Sequence, residues 1–130
     1  MNQRYLLDTH LLLWAALFPE RLPKKASHLM EDAGNTLFFS TASIWEISIK
    51  LTRPRNDLNI DVRQWRAGLL SNGYTELTIN SLHAMSVSDL PDIHKDPFDR
   101  LLLAQAMRED LTLVTADEVL ASYPGPILKV

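Results

Sequence analysis

Four acidic residues define the chemistry open to this sequence: Asp8, Glu46, Asp99 and Asp117. Asp8 ends the apolar run Tyr5-Leu6-Leu7, and Asp117 stands two residues after Leu113-Val114-Thr115. Glu46 lies in Ser43-Ile44-Trp45-Glu46-Ile47, and Asp99 in Asp96-Pro97-Phe98-Asp99. If the fold gathers them, they repel. Two carboxylates ~4 Å apart cost about 4 kcal/mol at an effective dielectric of about 20. Such a cluster must take up protons or a cation. All-oxygen donors suit a hard divalent ion, Mg²⁺ or Mn²⁺. Ions of that kind bind phosphate oxygens, activate a water and stabilise a leaving oxygen. There is no cysteine and no paired-histidine spacing, so nothing argues for zinc.

Each acid also has a purely structural reading. Asp8 and Asp117 can cap the helices that follow them. Asp96 fits an N-cap and Pro97 a first helical position, which makes Asp99 an N3 acid favoured by the helix dipole. Glu46 sits in a narrow polar wedge between Ile44, Ile47 and Leu51 on one side and Trp45 and Ile49 on the other. A helix apolar on two faces is expected to be buried on two faces. A glutamate there needs a partner, and Lys50, four residues on, can supply one.

The elements that must position these acids alternate along the chain. Tyr5-Leu6-Leu7 reads as a strand and Thr9 to Phe18 as a helix stopped by Pro19. A second helix runs from Pro23 to Ala33, with Gly34-Asn35 as its stop. Leu37-Phe38-Phe39 reads as a buried strand. Ser40-Thr41 offers a cap for a helix from Ala42 to Leu51. After the loop Arg53 to Asp57 come a helix from Val62 to Leu70, a strand from Glu76 to Ile79 and a short helix from Ser81 to Ser86. Asp96-Pro97 opens the best-marked helix, which runs to Glu109. Leu113-Val114-Thr115 is a strand, Asp117 to Tyr123 a short helix and Ile127 to Val130 a final strand. Strands separated by helices predict an α/β fold with a mostly parallel sheet covered on both faces. Function in such sheets sits beyond the carboxyl ends of the strands. All four acids fall at that edge.

The chain has 130 residues, 46% of them hydrophobic and 22% charged, with a net charge of −3. This is the size and composition of one globular domain spanning residues 1–130. The negative charge argues against a broad phosphate-gripping face, but bound cations would offset several carboxylates. The longest apolar run, Leu11 to Phe18, is far short of the ~20 residues that cross a bilayer. Met1 to Tyr5 has no signal-peptide pattern. A cytoplasmic protein with no membrane association is expected.

In this order the segments Tyr5-Leu6-Leu7-Asp8-Thr9-His10, Ser43-Ile44-Trp45-Glu46-Ile47, His94-Lys95-Asp96-Pro97-Phe98-Asp99-Arg100-Leu101-Leu102 and Leu113-Val114-Thr115-Ala116-Asp117 resemble the PIN-domain family, specifically the VapC-type toxins of toxin–antitoxin pairs. The resemblance covers essentially the whole chain and is most specific from His94 to Ala106. It implies a three-layer α/β/α sandwich and a metal site made by Asp8, Glu46, Asp99 and Asp117. It further implies Mg²⁺- or Mn²⁺-dependent endoribonuclease activity on RNA, a homodimer, and neutralisation by a cognate antitoxin protein.

Supporting roles are expected for Thr9 and Thr115, whose hydroxyls flank two of the acids, and for His94, which could act on substrate or orient a carboxylate. Lys50, Arg53 and Arg55, with Arg63 and Arg66, form the candidate RNA-binding stripe. Arg100 is expected to pair with Asp96. Trp14, Trp45 and Trp65 read as core or dimer contacts. Two other readings compete. In a Mg²⁺-dependent phosphatase or phospho-acceptor domain of the same α/β class, Asp8 would be the nucleophile; the phosphatase type needs a second aspartate where His10 stands. In a non-catalytic binding module the four acids would be caps and surface charge.

Overall fold

In the computed structural model, which describes residues 3–130, five strands form one sheet in the order β3-β2-β1-β4-β5. They are β1 (Arg4–Leu7), β2 (Thr36–Ser40), β3 (Thr75–Leu77), β4 (Thr112–Thr115) and β5 (Ile127–Lys129). Met1 and Asn2, which begin the stretch read above for a signal peptide, lie outside the described residues. Every neighbouring pair is parallel, with Leu6 beside both Phe38 and Leu113. The sheet is therefore parallel throughout.

Seven α-helices accompany these strands among the described residues: α1 (Thr9–Leu17), α2 (Lys24–Glu31), α3 (Thr41–Leu51), α4 (Val62–Ser71), α5 (Ser81–Ser86), α6 (Pro97–Glu109) and α7 (Glu118–Ala121). Strand alternation divides the core in two. Leu7, Phe39 and Val114 pack with Leu11 and Leu12 of α1, Ala26 of α2 and Trp65 and Leu69 of α4. Leu6 and Leu113 point the other way, onto Leu102, Leu103 and Ala106 of α6 and Leu120 of α7. Helix α3 reaches both layers, through Ile47 and Ala42 respectively. The α/β/α sandwich follows from strands apolar on both faces.

Phe39 is fully buried at the centre of the first layer. Phe39→Ala should lower the unfolding free energy by about 3–5 kcal/mol, read as a shift in urea midpoint.

Local differences from the sequence reading have simple causes. Pro23 is the N-cap of α2, not its first residue, and its carbonyl accepts from Ser27 N–H at 3.0 Å. That helix ends at Glu31, because the Asp32 carboxylate accepts from Gly34 N–H at 2.9 Å and turns the chain. The third strand covers Thr75–Leu77 and not Glu76 to Ile79. The last helix is only Glu118–Ala121, with Asp117 outside as its cap. Two 3₁₀ turns, Pro19–Arg21 and Val87–Asp89, are too short to leave a periodic signal.

Helix α3 departs from expectation more instructively. Its second apolar face is not buried: Trp45 is 54% and Ile49 37% exposed. Trp45 meets Phe98 of α6 edge to face, with centroids 5.0 Å apart.

Candidate active site

The chain leaves β1 toward β2 and β3, then returns to place β4 on the other side of β1. The switch point lies between β1 and β4, where parallel α/β sheets open a crevice at their carboxyl edge. Asp8 follows β1 directly, and Thr115 ends β4 with Asp117 two residues beyond. Helices α3 and α6 begin at the same edge and bring Glu46 and Asp99 to it.

Three of the four acids are buried: Asp8 is 3%, Glu46 4% and Asp99 7% exposed. Asp117 is more open, its side chain 40% exposed. The capping and site readings of the aspartates prove compatible, since a carboxylate has two oxygens. Asp8 Oδ1 accepts from Leu11 N–H at 2.9 Å, while Oδ2 accepts from the Thr115 hydroxyl. Asp117 Oδ1 accepts from Val119 and Leu120 N–H at 2.8 and 3.1 Å, while Oδ2 lies 3.3 Å from His94 Nε2. Asp96 caps α6 through Phe98 N–H, and Asp99 stands in the first turn with its carboxylate free of that duty.

Glu46 makes the expected i,i+4 ion pair, Oε2 to Lys50 Nζ at 3.2 Å. Its other oxygen, Oε1, is buried and accepts no hydrogen bond. A buried acceptor left without a donor is costly.

Asp99 feels the charges of the other three. The Asp99 carboxyl is pushed up to about 8, chiefly by burial and then by the charges of Asp96, Asp8, Glu46 and Asp117. Burial also raises Asp8, against the hydrogen bonds from Thr115 and Leu11. At Asp117 partial burial works upward, but donation from Leu120, His94 and Val119 outweighs it and holds the carboxyl below its usual range. The rise at Asp99 is the behaviour expected of a buried carboxyl with like charges near it.

His94 is central to the edge of the cluster. Its Nδ1 accepts from Asp96 N–H at 3.1 Å, which leaves the ring proton on Nε2. That nitrogen lies 3.1 Å from Asp99 Oδ2 and 3.3 Å from Asp117 Oδ2. One ligand atom from each of His94, Asp99 and Asp117 falls within 4.8 Å of the others. In this tautomer His94 donates to Asp117 Oδ2 and lies within ion-pair distance of Asp99.

The residues fit a divalent cation. The donor set is oxygen-rich, Glu46 Oε1 lacks a partner and Asp99 is disfavoured as an anion without added positive charge.

The surroundings add residues that the sequence reading missed and move others. The Thr9 hydroxyl is hydrogen-bonded with that of Ser43 of α3 at 2.8 Å, tying α1 to the helix that carries Glu46. Arg100 does not pair with Asp96. Its guanidinium donates to the carbonyls of Pro91 and Val87 and to the Tyr123 hydroxyl, because the chain before α6 folds back over it. Tyr123 Oη also accepts from His94 N–H at 2.7 Å, so it fixes the loop that holds the histidine. Only the neighbouring Pro97-Phe98-Asp99-Arg100 run could have signalled this. Arg66 is engaged elsewhere, in a two-point pair with Glu76 at 2.8 and 3.2 Å. Lys50 and Arg53 line a cavity with Glu46 beside the cluster.

A sequence profile described as the PIN domain matches residues 5–126. The chain belongs to the PIN domain family. A relative of this PIN domain, Ribonuclease VapC22 from Mycobacterium tuberculosis, is 32% identical over 121 residues, which is 93% of this chain and 92% of the relative. That likeness makes this a PIN domain of the VapC type. Its fold is shared with VapBC2 from Rickettsia felis, solved bound to a DNA fragment from its promoter, at a TM-score of 0.72 and 16% identity over 98% of both chains. DNA-bound VapBC from Salmonella typhimurium has the same fold at a TM-score of 0.63 and 15% identity, again over 98% of both chains.

Proposed function

We propose that this VapC-type PIN domain is a divalent-metal-dependent endoribonuclease, the toxin of a toxin–antitoxin pair. The observation that best supports the reading is that buried Asp99 feels the charges of Asp8, Glu46 and Asp117, while one Glu46 oxygen is buried without a hydrogen-bond partner. Asp8 and Asp99 are the main ligands in this reading, with Glu46 and Asp117 completing the shell directly or through water. Mg²⁺ or Mn²⁺ fits the donor set. When bound, such an ion supplies Lewis-acid stabilisation of charge on the phosphoryl oxygens and lowers the pKa of water.

The remaining work falls to side chains. Thr115 holds Asp8 in place, and His94 holds Asp99 and Asp117. Glu46 and Asp117 are suited to orient the attacking water. Lys50, Arg53 and Arg55 offer positive charge to the RNA backbone beside an otherwise acidic edge. The phosphatase reading has less behind it, since the residue two beyond Asp8 is His10, which is exposed and carries no carboxylate.

The VapBC neighbours support a cognate antitoxin as partner. The exposed Trp45 and Ile49 face of α3 supports a homodimer. We take the whole chain to act as one domain, in the cytoplasm. No helix among the described residues is long and apolar enough to cross a membrane.

The test is induced expression of wild type against Asp8→Asn, with cut RNA ends mapped. Wild type should generate new ends at defined positions and arrest growth, and Asp8→Asn should do neither. Full activity in the variant would remove Asp8 from the site.

A further inference from the structure

A second cavity, of about 280 Å³, opens beside the acidic cluster between α1 and the loop after α3. Its lining differs sharply from the acids next door. Trp14 of α1 and Phe18, the C-cap of that helix, are half-buried and line it. His10 leans on Trp14 with ring centroids 6.1 Å apart, and the Arg21 guanidinium lies 4.5 Å from the centre of the Phe18 ring. Lys50, Arg53 and Arg55 also line the cavity, and Asp57 is the one acid in the lining. A chain of net charge −3 thus places four of its thirteen Lys and Arg residues around one small aromatic-walled cavity.

Lys50 and Arg53 are shared with the cavity that holds Glu46, so the two spaces are contiguous through those side chains. The combination of aromatic wall and cationic rim is the one that holds single-stranded nucleic acid: bases stack on rings while phosphates meet Arg and Lys. At about 280 Å³ the volume lies just under the usual range of ligand sites, which run from ~300 Å³ upward. That leaves room for one nucleotide and no duplex.

We infer that this cavity is a nucleotide subsite, which takes one unstacked base and its phosphate from a single-stranded RNA and so sets the neighbouring phosphodiester on the carboxylate cluster. The inference rests on the ribonuclease reading and extends it. Arg21 and Trp14 become substrate-binding residues. Cleavage is confined to loops and unpaired segments, because a base held in a helix cannot enter.

The test uses an eight-nucleotide single-stranded RNA, first shown to be cut by the wild-type protein with Mg²⁺, and the same strand annealed to its complement. Binding is followed by fluorescence polarisation in EDTA, over a range of salt. Arg21→Ala and Arg53→Ala should each weaken single-strand binding and lower the salt slope by ~0.7, the share of one single-strand phosphate. Trp14→Ala should weaken binding ~5- to 100-fold with little change of slope, and Trp14→Phe should restore most of it. Arg108→Ala, which removes an equal charge at the far end of α6, should change neither. The duplex should bind more weakly than the single strand and resist cleavage.

Single-strand binding unchanged in both Arg21→Ala and Trp14→Ala would overturn the subsite while leaving the ribonuclease reading standing. The cavity would then be open to an acidic segment of a protein partner. Equal cleavage of duplex and single strand would also overturn it. If wild type neither binds nor cuts RNA, both readings fall together.

Discussion

Asp99→Asn should yield a folded protein whose RNA cleavage falls on the order of 10³-fold, the scale on which loss of one preorganised charge acts on a reaction. The same variant should be more heat-stable than wild type at pH 8 without metal. The two effects have one origin. Asp99 is buried among Asp96, Asp8, Glu46 and Asp117, and its carboxyl is pushed up to about 8. As an anion it strains the metal-free fold. As an amide of the same shape it does not, but it also no longer contributes a charge to hold a cation. Asp99 does not cap α6, since Asp96 does, so the helix start survives the substitution. Cleavage rate with Mg²⁺ and a melting curve in EDTA read the two halves separately. A variant that loses activity and stability together would point to a structural role instead.

The second large effect is the pH dependence of the metal-free protein. Asp99 binds its proton more tightly when folded than the ordinary value of 3.8 for an unfolded chain, so between about 4 and 8 the native state holds more protons. Stability is then greatest below pH 4 as far as this group is concerned, and is lost as pH rises toward 8. The slope is at most about 1.4 kcal/mol per pH unit for one whole proton. Burial of Asp8 acts in the same direction. Asp117, held low, acts oppositely and only below its ordinary range. Melting in EDTA should therefore occur at a higher temperature at pH 5 than at pH 8. Mg²⁺ or Mn²⁺ should reverse the order, because a ligand that binds only the native state stabilises it and binds more tightly once Asp99 is ionised. Calorimetric titration in buffers of different ionisation heat should show proton release on metal binding. An identical melting temperature at both pH values in EDTA would dissolve the argument.

Much of this was legible before any coordinates. Asp96-Pro97 marks its helix start through backbone chemistry confined to two residues, and the run to Glu109 is found as read. Leu6 and Leu7, or Leu113 and Val114, are consecutive apolar residues that imply burial on both sheet faces, and both layers exist. The four acids could be assigned to one edge because a parallel sheet places every strand's end and every following helix's start there. What escaped was side-chain direction. Whether Arg100 turns to Asp96 or to Pro91 and Tyr123 depends on how the segment before α6 folds back, which no local pattern encodes. The exposure of Trp45 escaped for a related reason: an apolar residue on a helix reports that something will cover it, not that the same chain will. His94 was noticed as one loop histidine, and only three-dimensional closure puts its Nε2 within hydrogen-bonding reach of two carboxylates.

The sheet ends in β3 and β5, each of three residues. A strand that short offers almost no free ladder for another chain to extend. Growth of the sheet across molecules is thereby blunted on both sides, and with it the common hazard of runaway edge pairing. A partner that docks as an added strand, a frequent way of gripping a peptide, finds little purchase here. Partners must read this molecule through its helical flanks, so changes that enlarge or tune its assemblies should accumulate on helix surfaces and leave the strand borders untouched.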